Sequence, residues 1–183
     1  MKLSIEIFLK TRRLKVQKII PCLWFDKEAE EAIKAYISIF NSAPNSAKNS
    51  NIVSIQRYPE EPSNIPVKGM EGKILTAIFE LDGQRFMALD GGPIFKFTEA
   101  TSLYVECADQ EEVDYFWEKL SAVPESEVCG WLKDKYGLSW QIIPKRMGEL
   151  LADKDKVKAK RAMDAMLKMK KIIIKDLEKA YEG

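Results

Sequence analysis

ELDGQRFMALDGGPIFKF, residues 80–97, is the stretch that decides the fold. Leu81 ends one apolar run, and Asp82-Gly83 is a strong two-residue hairpin signal because both positions favour the left-handed backbone such a loop needs. Phe86 to Leu89 resume the apolar pattern, and Gly91-Gly92-Pro93 breaks it. Phe95 and Phe97 set two aromatic rings beside the break. The stretch reads strand, tight turn, strand, loop.

Working outward, an apolar run at 16–25 reads as a first strand, and Asp26 is placed to cap a helix. Ala29, Ala32, Ile33, Tyr36, Ile37 and Phe40 make one face of that helix, and Glu28, Glu30, Glu31 and Lys34 take the other. A polar loop at 41–51 leads to a strand at 52–58. The segment 59–72 holds three prolines and two glycines and reads as a long connection, either a plain connector or a lid. Strands at 73–81 and 85–90 complete the hairpin.

The order then repeats. Residues 102–107 read as a strand, and Asp109 caps a helix with Val113, Phe116, Trp117 and Leu120 on one face. A loop at 121–127 precedes a short strand at 128–131. A second hairpin, 132–136 with 138–143, turns at Tyr136-Gly137. The strand-to-helix joints are alike, WFDKEAEEA against ECADQEEVD. The expectation is a tandem βαβββ repeat over 16–144, with modules 16–98 and 99–144, after an N-terminal extension of 1–15. From 145 to 183 the chain reads as helices, with a bend at Ile172-Ile173-Ile174 and methionines at 163, 166 and 169 that suit an adaptable packing surface.

Composition narrows the chemistry. A net charge of +1 gives no general case for nucleic acid or an anionic membrane as partner. The lysine-rich C-terminal helices are diluted by Asp153, Asp155, Asp164, Asp176 and Glu178, and read as solvated faces. Three unpatterned cysteines suit reduced thiols, and neither a signal peptide nor a membrane-spanning run is legible, so a cytoplasmic location is expected. Histidine is absent, which removes the commonest general base and metal ligand. Trp24, Phe86, Phe95, Phe97, Trp131 and Trp140 supply aromatic surface for core or for a pocket. Gln141, Ser102 and Asp90 are the polar groups expected to face into such a pocket. Cys129 beside Gly130-Trp131 is either a small buried hydrophobe or a reactive thiol.

The blocks PCLWFDKEAEEAIKAYISIF, FELDGQRFMALDGGPIFKF, DQEEVDYFWEKL, CGWLKDKYGLSWQIIP and AMLKMKKIIIKDLEKAYEG together resemble a PhnB-like protein of the vicinal oxygen chelate superfamily, which also holds glyoxalase I, bleomycin-resistance proteins and extradiol dioxygenases. The resemblance implies an α+β, glyoxalase/bleomycin-resistance-like fold in which the two βαβββ modules curl into a cup, and it implies a homodimer. The superfamily's chemistry uses a divalent metal in the cup. Carried over by spacing from the turn glycines and the aspartates before the helices, its ligand positions fall on Ile19, Met87, Ser102 and Gln141, a set with no carboxylate, imidazole or thiolate. Relatives that read GGPHFKF have a histidine where this chain has Ile94.

The family also travels under the label 3-demethylubiquinone-9 3-methyltransferase. A Rossmann-type methyltransferase needs a glycine-rich turn after its first strand, and this chain has no glycine before Gly69. The expected function is therefore binding of a small organic molecule, flat or apolar, without metal or cofactor, by Phe86, Asp90, Ser102, Trp131, Trp140 and Gln141. The alternative is a superfamily enzyme, either a metal-dependent lyase or dioxygenase or the methyltransferase of the label.

Overall fold

The computed structural model describes residues 17–60 and 68–183. The expected N-terminal extension and the middle of the connection at 59–72 lie outside the described residues.

The first module runs β1 (Cys22–Phe25), α1 (Ala29–Ser42), β2 (Asn51–Arg57), β3 (Ile74–Leu81) and β4 (Gln84–Asp90). Its strands stand in the order β1-β4-β3-β2, with β1 parallel to β4 and the other pairs antiparallel. The β3–β4 turn is the Asp82-Gly83 pair, both in the left-handed region at φ 47° and 80°, as that dipeptide requires. The second module runs β5 (Ser102–Cys107), α2 (Gln110–Leu120), β6 (Trp131–Lys133) and β7 (Ser139–Pro144), in the order β5-β7-β6. This is the first module's order with its outermost strand reduced to one bridge, Val128 with Trp131.

That reduction corrects the expected strand at 128–131. Cys129 and Gly130 both take positive φ, 50° and 85°, so residues 128–131 close a tight turn, and only Val128 is left to pair. A 3-10 turn at Pro124–Ser126 stands just before it. The second hairpin likewise turns over a longer stretch than expected, held by Asp134 N–H on Leu138 O at 3.0 Å and Gly137 N–H on Asp134 O at 3.0 Å.

The helix starts differ between the modules. Asp109 caps α2, accepting from Glu112 N–H at 3.0 Å. Asp26 does not cap α1, which starts two residues later than the sequence suggests. The carboxylate that meets the start of α1 belongs to Asp90, at the end of β4. Its Oδ1 accepts from Ala29 N–H at 2.8 Å and its Oδ2 from Ile74 N–H at 3.0 Å.

The two modules share one core. Tyr36 and Phe40 of α1 pack on Trp140 of β7 at 5.3 and 6.0 Å between ring centres, and Phe40 meets Phe116 of α2 at 5.1 Å. At their contact sits Asp134, 3% exposed. Its Oδ2 accepts from Tyr36 O–H (2.7 Å) and Trp140 Nε1–H (2.8 Å), and its Oδ1 from the N–H groups of Tyr136 (2.9 Å) and Leu138 (3.0 Å).

The C-terminal helices α3 (Lys145–Leu151), α4 (Lys156–Met166) and α5 (Ile174–Glu182) build a smaller core around Ile143, Leu150, Ala162, Ile172 and Leu177. The expected bend is present and is fixed to the second module. Met169 O and Lys170 O accept from Cys129 and Gly130 N–H, and the Gln110 side chain bonds Ile172 O and Ile174 N–H. Among the described residues no helix is long and apolar enough to cross a membrane.

Removing the Asp134 carboxylate strands four donors, three of them in buried bonds and so costly to leave unmet. Asp134→Ala should lower unfolding stability by on the order of 3 kcal/mol in urea titrations. Tyr36→Phe, which removes one donor and leaves the carboxylate three, should cost about 1 kcal/mol.

Candidate functional site

Where the two modules meet, beside the ends of β1 and β4, lies an open cleft of about 500 Å³. Four segments wall it: Trp24 to Asp26 from the end of β1, Glu28 and Glu31 from the start of α1, Pro93 to Phe97 from the loop after β4, and Lys133 to Gly137 from the β6–β7 turn. The first wall is built on a glycine. A Cβ on Gly91 would sit 2.1 Å from the Trp24 ring, so only glycine lets the indole lie against the backbone there. Trp24 Nε1–H then donates to Gly92 O at 2.9 Å, and Phe95 meets the indole edge-on at 4.9 Å. Phe25 touches Phe97 at 5.3 Å and Tyr136 at 6.0 Å, carrying the aromatic lining across to the second module.

Charges bridge the cleft. Lys135 Nζ lies 2.6 Å from Glu31 Oε1 and 4.9 Å from the centre of the Tyr136 ring, and Tyr136 O–H donates to the same Glu31 oxygen at 3.0 Å. The Lys135 ammonium, with help from the Tyr136 hydroxyl, holds the Glu31 carboxyl below its usual range. Lys133 is paired with Glu99. Asp26 Oδ1 is buried and accepts no hydrogen bond, although the backbone carbonyl of the same residue holds Gly92 N–H at 3.1 Å.

The residues expected to line a pocket separate into three groups. Phe86 and Trp140 face the shared core and line a second, smaller cavity of about 220 Å³ with Phe40, Leu81, Leu103 and Val105. Phe86 stacks on Phe79 at 5.5 Å, and Trp140 is 1% exposed and anchored on Asp134. Trp131 and Gln141 pair across β6 and β7 next to the Leu132–Trp140 pair, so they point to the opposite face of that sheet. On that face Gln141 Nε2 donates to Ser102 Oγ at 2.8 Å. Asp90 is fully buried as the cap of α1, and burial, outweighing its two N–H partners, raises its carboxyl above the usual value. The structure thus brings Phe86 to Trp140 and Ser102 to Gln141, but it does not gather the six around one cavity.

Trp24, Phe95 and Phe97 were legible as surplus aromatics, whereas Asp26 and Tyr136 look like a helix cap and a turn residue. No local signal marks the last two, because their neighbours in the cleft come from distant segments.

The ligand positions implied for a superfamily metal do not fit one. Ile19 is 86% exposed and apolar, Met87 offers only a thioether, and Ser102 and Gln141 satisfy each other. Among the described residues no three His, Cys, Asp or Glu side chains are grouped to hold a metal ion.

Two βαβββ-type modules of like strand order, joined through one core with a cleft at their junction, define an α+β protein of glyoxalase-like fold. The chain belongs to the 3-demethylubiquinone-9 3-methyltransferase family, the PhnB-like proteins, whose family model matches residues 17–143. A PhnB protein from Bacillus cereus whose name carries the same methyltransferase label is 42% identical; the match covers 70% of this chain and 99% of that one, with a TM-score of 0.55. A Pseudomonas aeruginosa protein, 17% identical over 70% of this chain and 97% of its own, shares the fold with a TM-score of 0.51. No protein of curated function matches the sequence.

The thiols of Cys22 and Cys107 should separate by reactivity. Cys22 is exposed, while Cys107 is fully buried and its thiol is pushed up to about 12 by burial, with the acids at 106, 109 and 112 adding to the rise. Titration with a disulfide reagent at neutral pH should modify Cys22 in the folded protein and reach Cys107 only once denaturant is added.

Proposed function

We propose that this PhnB-like protein binds a small organic molecule in the cleft between its modules, without a resident metal or cofactor. The observation that carries this reading is the cleft itself, about 500 Å³ of space walled by Trp24, Phe95, Phe97 and Tyr136 with a few charged groups among them. Apolar walls with sparse polar groups are the usual make-up of small-molecule sites. Burying one ring against such walls contributes on the order of 1–3 kcal/mol, so micromolar binding needs several contacts together. The smaller cavity holding Phe86 and Trp140 is a poorer reporter, because Trp140 supports the core.

The binding form is a homodimer. One face of the first sheet is covered by α1, and its other face carries half-buried Trp24, Ile78, Met87 and Leu89 in register across three strands. Leu75 on β3 and Val53 and Ile55 on the edge strand β2 are exposed, and Tyr104 is 56% exposed on the face of the second sheet opposite Trp140. A second copy of the chain offers a matching apolar surface, and two-fold pairing closes such faces without leaving a further open one.

Titrating a library of planar metabolites, quinones included, while following tryptophan fluorescence should yield ligands with micromolar affinity. Phe95 is 62% exposed, so Phe95→Ala should keep the fold and weaken any such ligand about tenfold, the cost of one lost ring contact. A library without ligands, or ligands indifferent to Phe95→Ala and Trp24→Phe alike, would remove the cleft as the site. Light scattering at micromolar concentration should give twice the chain mass of 21.0 kDa, and a single monomer peak would remove the dimer.

A further inference from the structure

The charged groups of the cleft are unequally satisfied. Glu31 is taken by Lys135 and Tyr136, Lys133 by Glu99, and Glu28 Oε2 accepts from Lys27 N–H at 2.9 Å. Asp26 is left with a buried carboxylate oxygen that no donor reaches. Ser139 Oγ is the other such atom among the described residues, and it lies outside the cleft. A buried carboxylate oxygen without a donor is costly, and the cost is relieved by a donor from outside the chain. The surfaces next to Asp26 are aromatic, Trp24 and Phe25 preceding it and Phe95 against the indole.

The cleft already contains one example of the group such a place accepts. The Lys135 ammonium sits 4.9 Å from the Tyr136 ring centre with a carboxylate oxygen 2.6 Å away. An aromatic face and a carboxylate hold a cation more tightly together than either does alone, because the ring's negative face and the carboxylate act on the same charge.

We infer that the cleft prefers a protonated organic amine, with the Asp26 carboxylate accepting from its ammonium N–H and the Trp24 and Phe95 rings beside its carbon skeleton. This rests on the binding role proposed above and narrows it to a ligand class. Lys96, which also lines the cleft and is exposed, opposes the preference without occupying the Asp26 oxygen.

Three probes of one ring and different charge test it: benzylamine, benzyl alcohol and benzoate, followed by NMR of the tryptophan indole N–H signals near neutral pH. Benzylamine should bind at least tenfold more tightly than benzyl alcohol, and benzoate most weakly. Asp26→Asn should abolish that preference. Lys96→Met should increase the preference. Raising the pH until benzylamine is uncharged should bring its affinity down to that of benzyl alcohol in the unaltered protein, so the test does not depend on any variant folding. Equal binding of benzylamine and benzyl alcohol, tighter binding of benzoate, or a preference that survives Asp26→Asn would overturn the inference. In those cases ring binding still stands and only the amine preference falls. If none of the probes binds and the metabolite library is also silent, the binding role fails and the inference falls with it.

Discussion

The relative placement of the two modules depends on the carboxylate of Asp134. It is nearly fully buried, and ionised groups in such places are tolerated only when their lone pairs are met. Here two backbone N–H groups of its own turn, the Trp140 indole and the Tyr36 hydroxyl meet them. Three of these donors belong to the second module and one to α1 of the first. The bond from Tyr36 therefore spans the modules inside the core, and burial beside this carboxylate raises the Tyr36 hydroxyl so far that it stays a donor at any ordinary pH. Hydrophobic contact alone would let α1 slide on β7, whereas a charged acceptor with fixed donors gives the contact one register. The cleft inherits that register, since Tyr136 and Lys135 follow Asp134 directly in the same turn.

Asp90 plays a related part within the first module. It ends β4, and its two oxygens hold the first turn of α1 and the start of β3. A cap supplied from a distant strand frees the residue that the sequence offers for the task. Asp26 and Asp109 both read as helix-capping aspartates in the sequence, and only Asp109 caps its helix in the structure. Local patterns show that a helix must begin with an acceptor, but they do not show which acceptor arrives once the sheet has formed. The reassignment leaves Asp26 unmatched at the edge of the cleft.

The rest of the fold divides along the same line. Asp82-Gly83 and the two amphipathic helices could be read from sequence because each signal lies within a few residues. The strand order of the second module could be read from the first by repetition. Its missing edge strand could not, because Cys129 in the left-handed region has no sequence signature and the turn it closes is stabilised by contacts from residues 169–170. The facing of site residues was hidden for another reason. Alternation along β7 sends Trp140 and Gln141 to opposite sides of one sheet, and only the packing of α1 and α2 decides which side becomes core.

The GGPIFKF segment links the two levels. Gly91 allows the Trp24 ring to press on the backbone, Gly92 receives the indole N–H through its carbonyl, and the chain that follows lays Phe95 against the indole edge. The hairpin that establishes the first sheet thus ends in the loop that forms one wall of the cleft. Its strands carry little that could distinguish ligands, since Phe86 and Ala88 face the core and Asp90 is committed to α1. Discrimination must come from what lies beyond the strand ends, namely the aromatic loop, Asp26 and the Tyr136 turn. Substitutions there can alter the chemistry of the cleft without touching the interactions that hold the modules together.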